Sequence, residues 1–411
     1  MSEMTGAMQG VRVLEVAQWW FVPAAGAILA DWGAEVLKIE HPETGDPQRG
    51  LVTSGLLPKG GFNFMWEQPN RGKRSVGLDI RNPDGRALLY RLVEKSDVFL
   101  TSFLPEARRR LEIDVEHIRR VNPKIVYARG SGQGVRGPDA ERGGYDAASY
   151  WARGGIAMAL TGAGSDEQPV SQRPAFGDSI GGLTVAAGIA AALFKRERTG
   201  EPSVVDISLL GAAMWNISAD LTMTKALAAL GLGKGMPKLD RRMAPNPIVN
   251  AYRTRDGRWL MLVMLQSDRN WPDLCRHLGR EELIDDARFA TSALRAQNRA
   301  ECVDTLDAVF ATRTLDEWQR ALATTDGVWA PIQNPSELYS DPQVLANDYL
   351  PTVELSNGSS CQLVRAPVQF DEQTPPLRHA PEHGADTESV LLELGLDWDE
   401  LVRCKESGAI L

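Results

Sequence analysis

The chain has 411 residues, of which 43% are hydrophobic and 24% are charged, as in a soluble globular protein. This length exceeds what one hydrophobic core usually serves, so the sequence predicts two or three domains. The formal net charge of -9 argues against a general nucleic-acid or membrane-surface binder, because no basic surplus is available to neutralise phosphates.

The cysteines and histidines give no sign of a metal site. The four cysteines lack a paired spacing, and the five histidines form no ligand-like pattern. The N-terminus lacks the basic region and apolar core of a secretory signal. The alanine-rich run Thr184–Leu193 is too short to span a bilayer before the charged Lys195–Arg198. We therefore expect a cytoplasmic protein with no metal, no tightly bound cofactor and no membrane span.

The first forty residues predict a strand, a helix and a strand. The strands are Val11–Val16 and Ala34–Ile39, and the helix is Pro23–Trp32. Such a βαβ unit implies a parallel sheet. The turn after the first strand contains no glycine, so it cannot form the phosphate loop of a dinucleotide site. Three aromatic residues, Trp19–Phe21, occupy it instead, either as a ligand-binding wall or as core filling.

The alternation of helix and strand continues along the chain. The predicted elements are a helix at Pro83–Lys95, a strand at Val98–Leu100, a helix at Asp114–Arg120 and a strand at Lys124–Ala128. This pattern extends the parallel sheet.

Three loops of this region are distinctive. Asn70–Arg81 gathers four basic side chains, and Arg108–Arg110 gathers three more. In an acidic protein, two basic clusters tied to one sheet indicate a phosphorylated ligand. The glycine-rich Arg129–Pro138 can wrap a ligand with backbone amides, although such loops are common.

The composition of the sequence changes near Lys225, where glycine and proline residues indicate a domain boundary. Before it we predict a strand at Ser203–Ser208 and a helix at Leu209–Met223. Beyond it, Asp256–Gly257 predicts a hairpin turn, and Thr314 begins a helix with a capping box. The chain closes with extended segments at 351–355 and 359–364 and helices at 387–394 and 397–406.

Asp178 lies between Gly177 and Ser179, ahead of a helix-like run that is poor in bulky side chains and reaches Lys195. An aspartate before an apolar helix usually caps it by accepting hydrogen bonds from the first backbone amides. Alternatively, Asp178 is a nucleophile or base at a helix start, where glycines let a substrate approach the backbone closely.

Several sequence blocks, in order over nearly the whole chain, resemble the class III CoA-transferases, the CaiB/BaiF family. The blocks are Gly10–Val16, Leu29–Glu40, Asn70–Asp79, Phe176–Asp178, Tyr252–Trp259 and Thr387–Gly395. The resemblance implies an α/β fold: a large domain with a Rossmann-like parallel sheet, residues 1–224, and a smaller α+β domain, residues 225–335. Residues 336–411 are then expected to return to the large domain. It also implies an interlocked homodimer, with the active site between the large domain of one subunit and the small domain of the other.

The family's catalytic aspartate corresponds to Asp178. The residues that the resemblance assigns to coenzyme A are Trp20, Phe21, His41, Leu78, Asp79, Ile80, Arg81, Ser102, Phe103, Leu104, Arg110, Ser131, Gly132, Gln133 and Gly134. Ser102–Leu104 departs from the family pattern, in which Asn-Phe-Arg or Asn-Phe-Gly is common. Coenzyme A carries several phosphate charges, which fits basic loops on an acidic protein.

The implied function is transfer of coenzyme A between an acyl-CoA and a carboxylic acid. Asp178 would attack the thioester, giving a mixed anhydride and then an aspartyl-CoA thioester. For the oxyanion we expect backbone donors near Gly181 and Gly182 or in the Ser131–Gly134 loop.

Two alternatives remain at this point. An α-methylacyl-CoA racemase of the same family carries histidine where this chain has Tyr145, before Asp146, and tyrosine exchanges protons poorly at neutral pH. An inactive CoA-binding protein is the other alternative. Arg241–Val249 lacks the glycine run of oxalate-specific members, and the aromatic Trp19–Phe21 suggests an apolar acyl group.

Overall fold

The structure is a computed structural model that describes residues 6–55, 62–162, 166–231, 235, 238 and 240–411. The chain forms two compact units. The first contains residues 1–161, 167–236 and 343–411, and the second contains residues 162–166 and 237–342.

A six-stranded sheet organises the first unit, with all neighbouring strands parallel and the strand order β3-β2-β1-β4-β5-β6. The strands are β1 (Arg12–Val16), β2 (Glu35–Glu40), β3 (Arg74–Gly77), β4 (Val98–Thr101), β5 (Val126–Ser131) and β6 (Val204–Ser208). The central strands are almost continuously buried, as in a parallel sheet with both faces covered. The predicted parallel sheet is confirmed.

One strand lies where the sequence indicated a basic loop. β3 falls inside Asn70–Arg81, pairs with β2, and buries Ser75 and Val76 completely. The basic residues made this segment read as an exposed loop. In the structure Lys73, just before the strand, is buried in an ion pair with Glu15.

Helices cover both faces of the sheet. They are α1 (Phe21–Asp31), α2 (Gly50–Thr53), α3 (Phe64–Asn70), α4 (Pro83–Glu94), α5 (Pro105–Arg110), α6 (Val115–Val121), α7 (Ile156–Thr161), α8 (Phe176–Thr199), α9 (Leu209–Asn216) and α10 (Ser218–Ala229). A single turn of π-helix, Ala147–Ala152, precedes α7. The helix predicted over Leu209–Met223 is in fact two, α9 and α10, which meet at Ile217.

The long helix α8 packs against α1 through glycine. A Cβ atom on Gly182 would lie 2.7 Å from the Ala24 side chain, so only glycine permits this close approach. With 24 residues, α8 is long and apolar enough to cross a membrane by length and composition alone. The predicted run Thr184–Leu193 is the middle of this longer helix, and burial of its glycine face against α1 accounts for the apolar composition.

The second unit is built on a three-stranded antiparallel sheet, β7 (Val249–Arg253), β8 (Trp259–Val263) and β9 (Trp329–Pro331). The predicted hairpin is confirmed, and so is the capping box between Thr314 and Glu317. The α-helices among the described residues of this unit are α11 (Ser267–Leu278), α12 (Ser292–Gln297), α13 (Arg299–Phe310) and α14 (Leu315–Ala321).

The last part of the chain contains short elements. They are α15 (Pro342–Ala346), β10 (Thr352–Glu354), β11 (Ser360–Gln362), α16 (Thr387–Glu393) and α17 (Trp398–Glu406). β10 and β11 form an antiparallel pair, while α16 and α17 contribute Val390, Leu391 and Leu401 to the core beneath β3 and α4.

Candidate active site

The carboxyl ends of the parallel strands place most of the candidate residues along one edge of the sheet. Ligands of open α/β sheets bind at this edge, where the strand order reverses, which here is between β1 and β4. The candidate segments lie at the ends of five neighbouring strands: Leu78–Arg81 after β3, His41 after β2, Trp20 and Phe21 after β1, Ser102–Leu104 after β4, and Ser131–Gly134 beginning at the last residue of β5.

Asp178 is the third residue of α8, so it does not cap the helix. The capping position belongs to Ala175, which has the left-handed φ of 59° and makes no side-chain capping bond. The alternative that Asp178 is an N-cap is therefore wrong. Its Oδ1 atom is buried and accepts no hydrogen bond from the described residues.

A second carboxylate, Asp146, caps the start of α8 from a separate loop. Its Oδ2 atom accepts a hydrogen bond from the backbone amide of Gly177 at 3.0 Å, while its Oδ1 atom is buried and unpartnered among the described residues. A Cβ atom on Gly177 would lie 2.4 Å from that oxygen and 2.2 Å from the Tyr150 ring. Glycine at 177 therefore leaves room for Asp146 to lie against the first turn of α8, which carries Asp178.

The environment of Asp178 favours its protonated form. Burial, reinforced by the negative charge of Asp146, raises the pKa of Asp178 to about 7. No salt bridge joins Asp178 to a cation in the described part of the chain. Near neutral pH, the protonated and ionised forms of this carboxyl group are therefore both populated, and the ionised form is more basic than an ordinary carboxylate.

The aromatic loop after β1 reaches the Asp178 turn. The indole nitrogen of Trp20 donates to the Ser179 hydroxyl at 3.1 Å, and the Trp19 ring meets the Tyr145 ring edge-on at 5.7 Å. Phe21 is buried against Gly130 and Gly181, so its side chain fills core. Trp20 therefore contacts the turn directly, Trp19 contacts the neighbouring Tyr145, and Phe21 belongs to the core.

The glycine-rich loop after β5 packs against the segment that carries Asp146. The Gln133 side-chain amide donates to Ser149 Oγ at 2.8 Å, and a Cβ on Gly132 would lie 2.7 Å from Gly144. The Gly134 amide already donates to Ser131 Oγ at 3.1 Å. The predicted loop and the Asp178 turn are thus parts of one packed assembly.

The proposed oxyanion donors at Gly181 and Gly182 are not supported. Both glycines lie inside α8, beyond its first turn, where backbone amides bond within the helix. A Cβ on Gly181 would lie 2.4 Å from the Phe21 ring. Their role is close helix packing.

The residues after β2 and β3 divide into a polar group and a core group. The Arg81 guanidinium pairs with Asp79 at 3.0 Å and contacts the His41 ring. Arg81 hydrogen bonding lowers the pKa of Asp79 although burial opposes it. Leu78 and Ile80 are buried, so their side chains belong to the core beneath β3.

The residues after β4 are tied to the neighbouring loop. Ser102 Oγ accepts from the Gln18 amide at 3.0 Å, and the Phe103 carbonyl accepts from Arg108 at 2.7 Å. Leu104 immediately precedes α5. Arg110, at the end of α5, is exposed and has no ion-pair partner among the described residues.

The basic cluster at Asn70–Arg81 is largely neutralised within the protein. Arg71 pairs with Asp31, Lys73 with Glu15, and Arg74 with Glu35 and Glu393. The prediction that this cluster collects phosphates is therefore wrong for those three cations, because their charges balance internal carboxylates. Within the described ranges, no three His, Cys, Asp or Glu side chains are grouped as metal ligands.

In the sequence, Asp146 drew attention only as the residue after Tyr145 in the racemase alternative, and its bond to Gly177 was not foreseen. The signal was present in the chain order, because Gly144–Asp146 follows the glycine-rich loop on the same sheet edge. Ser179, the Trp20 acceptor, gave no separate signal.

Comparison with known proteins gives consistent results. The model of CoA-transferase family III matches residues 8–387. The chain is 30% identical to (R)-2-hydroxy-4-methylpentanoate CoA-transferase of Clostridioides difficile, covering 98% of this chain and 99% of the relative. It is 31% identical to cinnamoyl-CoA:phenyllactate CoA-transferase of Clostridium sporogenes, covering 100% of this chain and 99% of the relative.

Solved structures give the same result. A CaiB/BaiF family protein from Brucella suis superimposes with a TM-score of 0.77 at 28% identity, covering 95% of this chain and 100% of that one. Rv3272 from Mycobacterium tuberculosis gives a TM-score of 0.77 at 26% identity, covering 94% of this chain and 99% of that one.

Proposed function

Because the chain belongs to CoA-transferase family III, we propose that Asp178 is the nucleophile that carries coenzyme A from an acyl-CoA to a carboxylate. The protein is a CoA-transferase that acts on acyl-CoA thioesters and carboxylic acids. The comparisons do not favour a racemase, and the alternative of an inactive binding protein is set aside.

The proposed reaction has four exchanges at carbonyl carbon. An Asp178 oxygen attacks the thioester carbonyl carbon, the carbon–sulfur bond breaks, and coenzyme A leaves as a thiolate while the acyl group stays on Asp178 as a mixed anhydride. The thiolate attacks the aspartyl carbonyl and releases the donor acid, which leaves an aspartyl-CoA thioester. The acceptor carboxylate then displaces the thiolate, forming a second anhydride. Thiolate attack on the acceptor carbonyl gives the new acyl-CoA and restores Asp178.

The single observation that carries this proposal is the state of the Asp178 carboxyl group. An oxygen with no hydrogen bond from the described residues and a pKa of about 7 is both unengaged and more basic than an ordinary carboxylate. Higher basicity makes the ionised carboxylate a stronger nucleophile. Holding it against the thioester can supply about 7–11 kcal/mol through orientation.

The five loops at the carboxyl edge are the proposed coenzyme A site. Neighbouring strands lie about 4.8 Å apart, so loops after five strands extend over about 19 Å, suited to an elongated ligand. Arg110 is an exposed cation there with no ion-pair partner among the described residues, and it is our candidate for a phosphate contact. Phe21, Leu78 and Ile80 would contribute backbone rather than side chain, because their side chains are buried.

We propose an apolar acyl group as the substrate class. The rings of Trp19 and Tyr145 meet edge-on beside the turn, as do those of Trp151 and Phe176 at 5.9 Å. Two relatives are named for branched or aromatic acids. A higher kcat/KM for phenylpropanoyl-CoA than for succinyl-CoA is expected, and the reverse order would overturn the assignment.

The test of the nucleophile is Asp178→Ala, assayed by mass spectrometry of the acyl-CoA product. We expect transfer to be abolished while coenzyme A binding, measured by calorimetry, persists. Asp316→Ala removes another first-turn aspartate, exposed at the start of α14, and should leave transfer unchanged. Substantial residual transfer by Asp178→Ala would reject the nucleophilic role of Asp178.

The homodimer and the cytoplasmic location stay predictions.

A further inference from the structure

We propose that the buried pair Lys38 and Asp46 is a positioning unit for the active site, holding the loop after β1 against the Asp178 turn. The inference rests on the proposed function of Asp178. Neither residue lies among those that the sequence assigned to substrate binding or chemistry. Lys38 is fully buried and Asp46 nearly so, and their charged atoms lie 2.9 Å apart.

The pair binds the backbone of the loop at two places. Lys38 Nζ donates to the carbonyl of Ala17 at 2.9 Å, and Asp46 Oδ1 accepts from the amide of Trp19 at 3.1 Å. Between these two points, the Gln18 amide donates to Ser102 at 3.0 Å. Three consecutive residues are therefore fixed by side chains from β2, from the residue after β4 and from the turn after β2.

The loop needs this support because its conformation is unfavourable. Trp19 has a φ of 70°, in the left-handed region that bulky side chains rarely adopt. Such a conformation persists where surrounding contacts determine it, and it occurs often at functional sites. The Asp46 bond lies on the amide of the strained residue itself.

Trp19 and its neighbour Trp20 are connected by contacts to the residues before and after Asp178. The next residue, Trp20, donates from its indole nitrogen to Ser179, which adjoins Asp178. The Trp19 ring meets Tyr145, which adjoins the Asp146 that accepts from Gly177. A shift of Trp19 would therefore move contacts before and after Asp178.

The pair is itself held rigidly. Glu15 lies 3.0 Å from Lys38 Nζ, and the Asp46 amide donates to Glu40 at 3.0 Å. Asp46 Oδ1 also accepts from Gln48. Because buried charges in such a network have few alternative arrangements, the network holds the loop after β1 in one position.

The test compares Asp46→Ala with Asp46→Asn, both as the full chain. The alanine variant removes the acceptor for the Trp19 amide, so kcat should fall by about tenfold or more, since small displacements of reacting groups are costly. KM for acyl-CoA should stay within about threefold, because a positioning role acts in the transition state. The asparagine variant retains Oδ1 and should recover most of kcat, although it weakens the contact with Lys38.

The matched control is Asp31→Ala. Asp31 is a buried carboxylate at the opposite end of α1, paired with Arg71 at 2.7 Å. It should lower the melting temperature as Asp46→Ala does, with kcat nearly unchanged. Equal loss of kcat in both alanine variants, or no recovery in Asp46→Asn, would mean that Asp46 is merely structural.

A third variant covers the case in which Asp46→Ala does not fold. Trp20→Phe keeps a ring and removes the indole donor to Ser179, so kcat should fall by about fivefold. An unchanged kcat there would overturn the proposal. Residual transfer in Asp178→Ala would instead defeat the proposed function, so the two failures are distinguishable.

Discussion

Two groups of buried carboxylates in the first unit differ in how their charge is balanced. Glu15 is fully buried and pairs with two ammonium groups, Lys38 at 3.0 Å and Lys73 at 2.8 Å. Asp178 is half-buried with its Oδ1 atom fully covered, and it has Asp146 as its charged neighbour and no ion-pair partner among the described residues. The first arrangement stabilises the fold around the carboxylate, whereas the second leaves a carboxylate available for chemistry.

The difference also appears in the pKa values. Burial lowers the pKa of Lys73 to about 7 although Glu15 opposes it. Burial would likewise lower the pKa of Lys38, but Asp46, Glu15 and Glu40 together raise it. At Asp178, burial and Asp146 act in the same direction. A buried charge without a counterion is expensive, so its presence indicates a function that repays the cost.

The largest expected effect is loss of stability in Glu15→Gln. Removing one member of a buried ion network leaves the others uncompensated, so the free energy of unfolding should fall by about 3 kcal/mol. Denaturant unfolding measures it. The control Glu35→Gln breaks ion pairs with Arg12 and Arg74 at a partly exposed position and should cost less than about 1 kcal/mol. Equal losses would show that the buried ion network around Glu15 contributes no more to stability than a partly exposed ion pair.

The second expected effect is on the pH dependence of kcat/KM. The nucleophile must be ionised, so activity of the free enzyme should rise with pH through about 7, the pKa of Asp178. Asp146→Asn retains an acceptor for the Gly177 amide and removes the negative charge. The acid limb should then move to lower pH. An acid limb that stays in place would show that Asp146 does not act on Asp178 electrostatically.

The smallest expected effect is a stability gain in Asp178→Asn. Because folding raises the pKa of Asp178, its contribution to stability is lost as pH rises from the unfolded value through about 7. At pH 8 the uncharged asparagine should therefore raise the melting temperature by roughly 2 °C. The gain should vanish below about pH 4, where both side chains are neutral. A gain that is independent of pH would point to packing instead.

The sequence predicted the features that depend on local pattern. The apolar runs of β1, β2 and β4, the Asp-Gly hairpin and the Thr314 capping box follow from periodicity and turn chemistry, and the structure has them. The link between Asp178 and a glycine-rich helix was also evident, although the structure places Asp178 inside the first turn and not before it.

The remaining features depend on pairs of residues far apart in the chain. Lys73 reads as a surface cation until Glu15, 58 positions earlier, is placed beside it. The bond from Gly177 to Asp146 spans 31 positions. Gly181 suggested a backbone donor, whereas the Phe21 ring explains its lack of a side chain. Such pairings follow from tertiary packing, which local patterns do not encode.

The most direct test of the account is to identify the residue that becomes covalently attached. The enzyme is incubated with an acyl-CoA and no acceptor, quenched in acid, digested and analysed by mass spectrometry. We expect coenzyme A in hydroxylamine-sensitive linkage to Asp178, with no adduct in Asp178→Ala. Coenzyme A attached to Asp146 or another residue, in an enzyme that turns over normally, would contradict it.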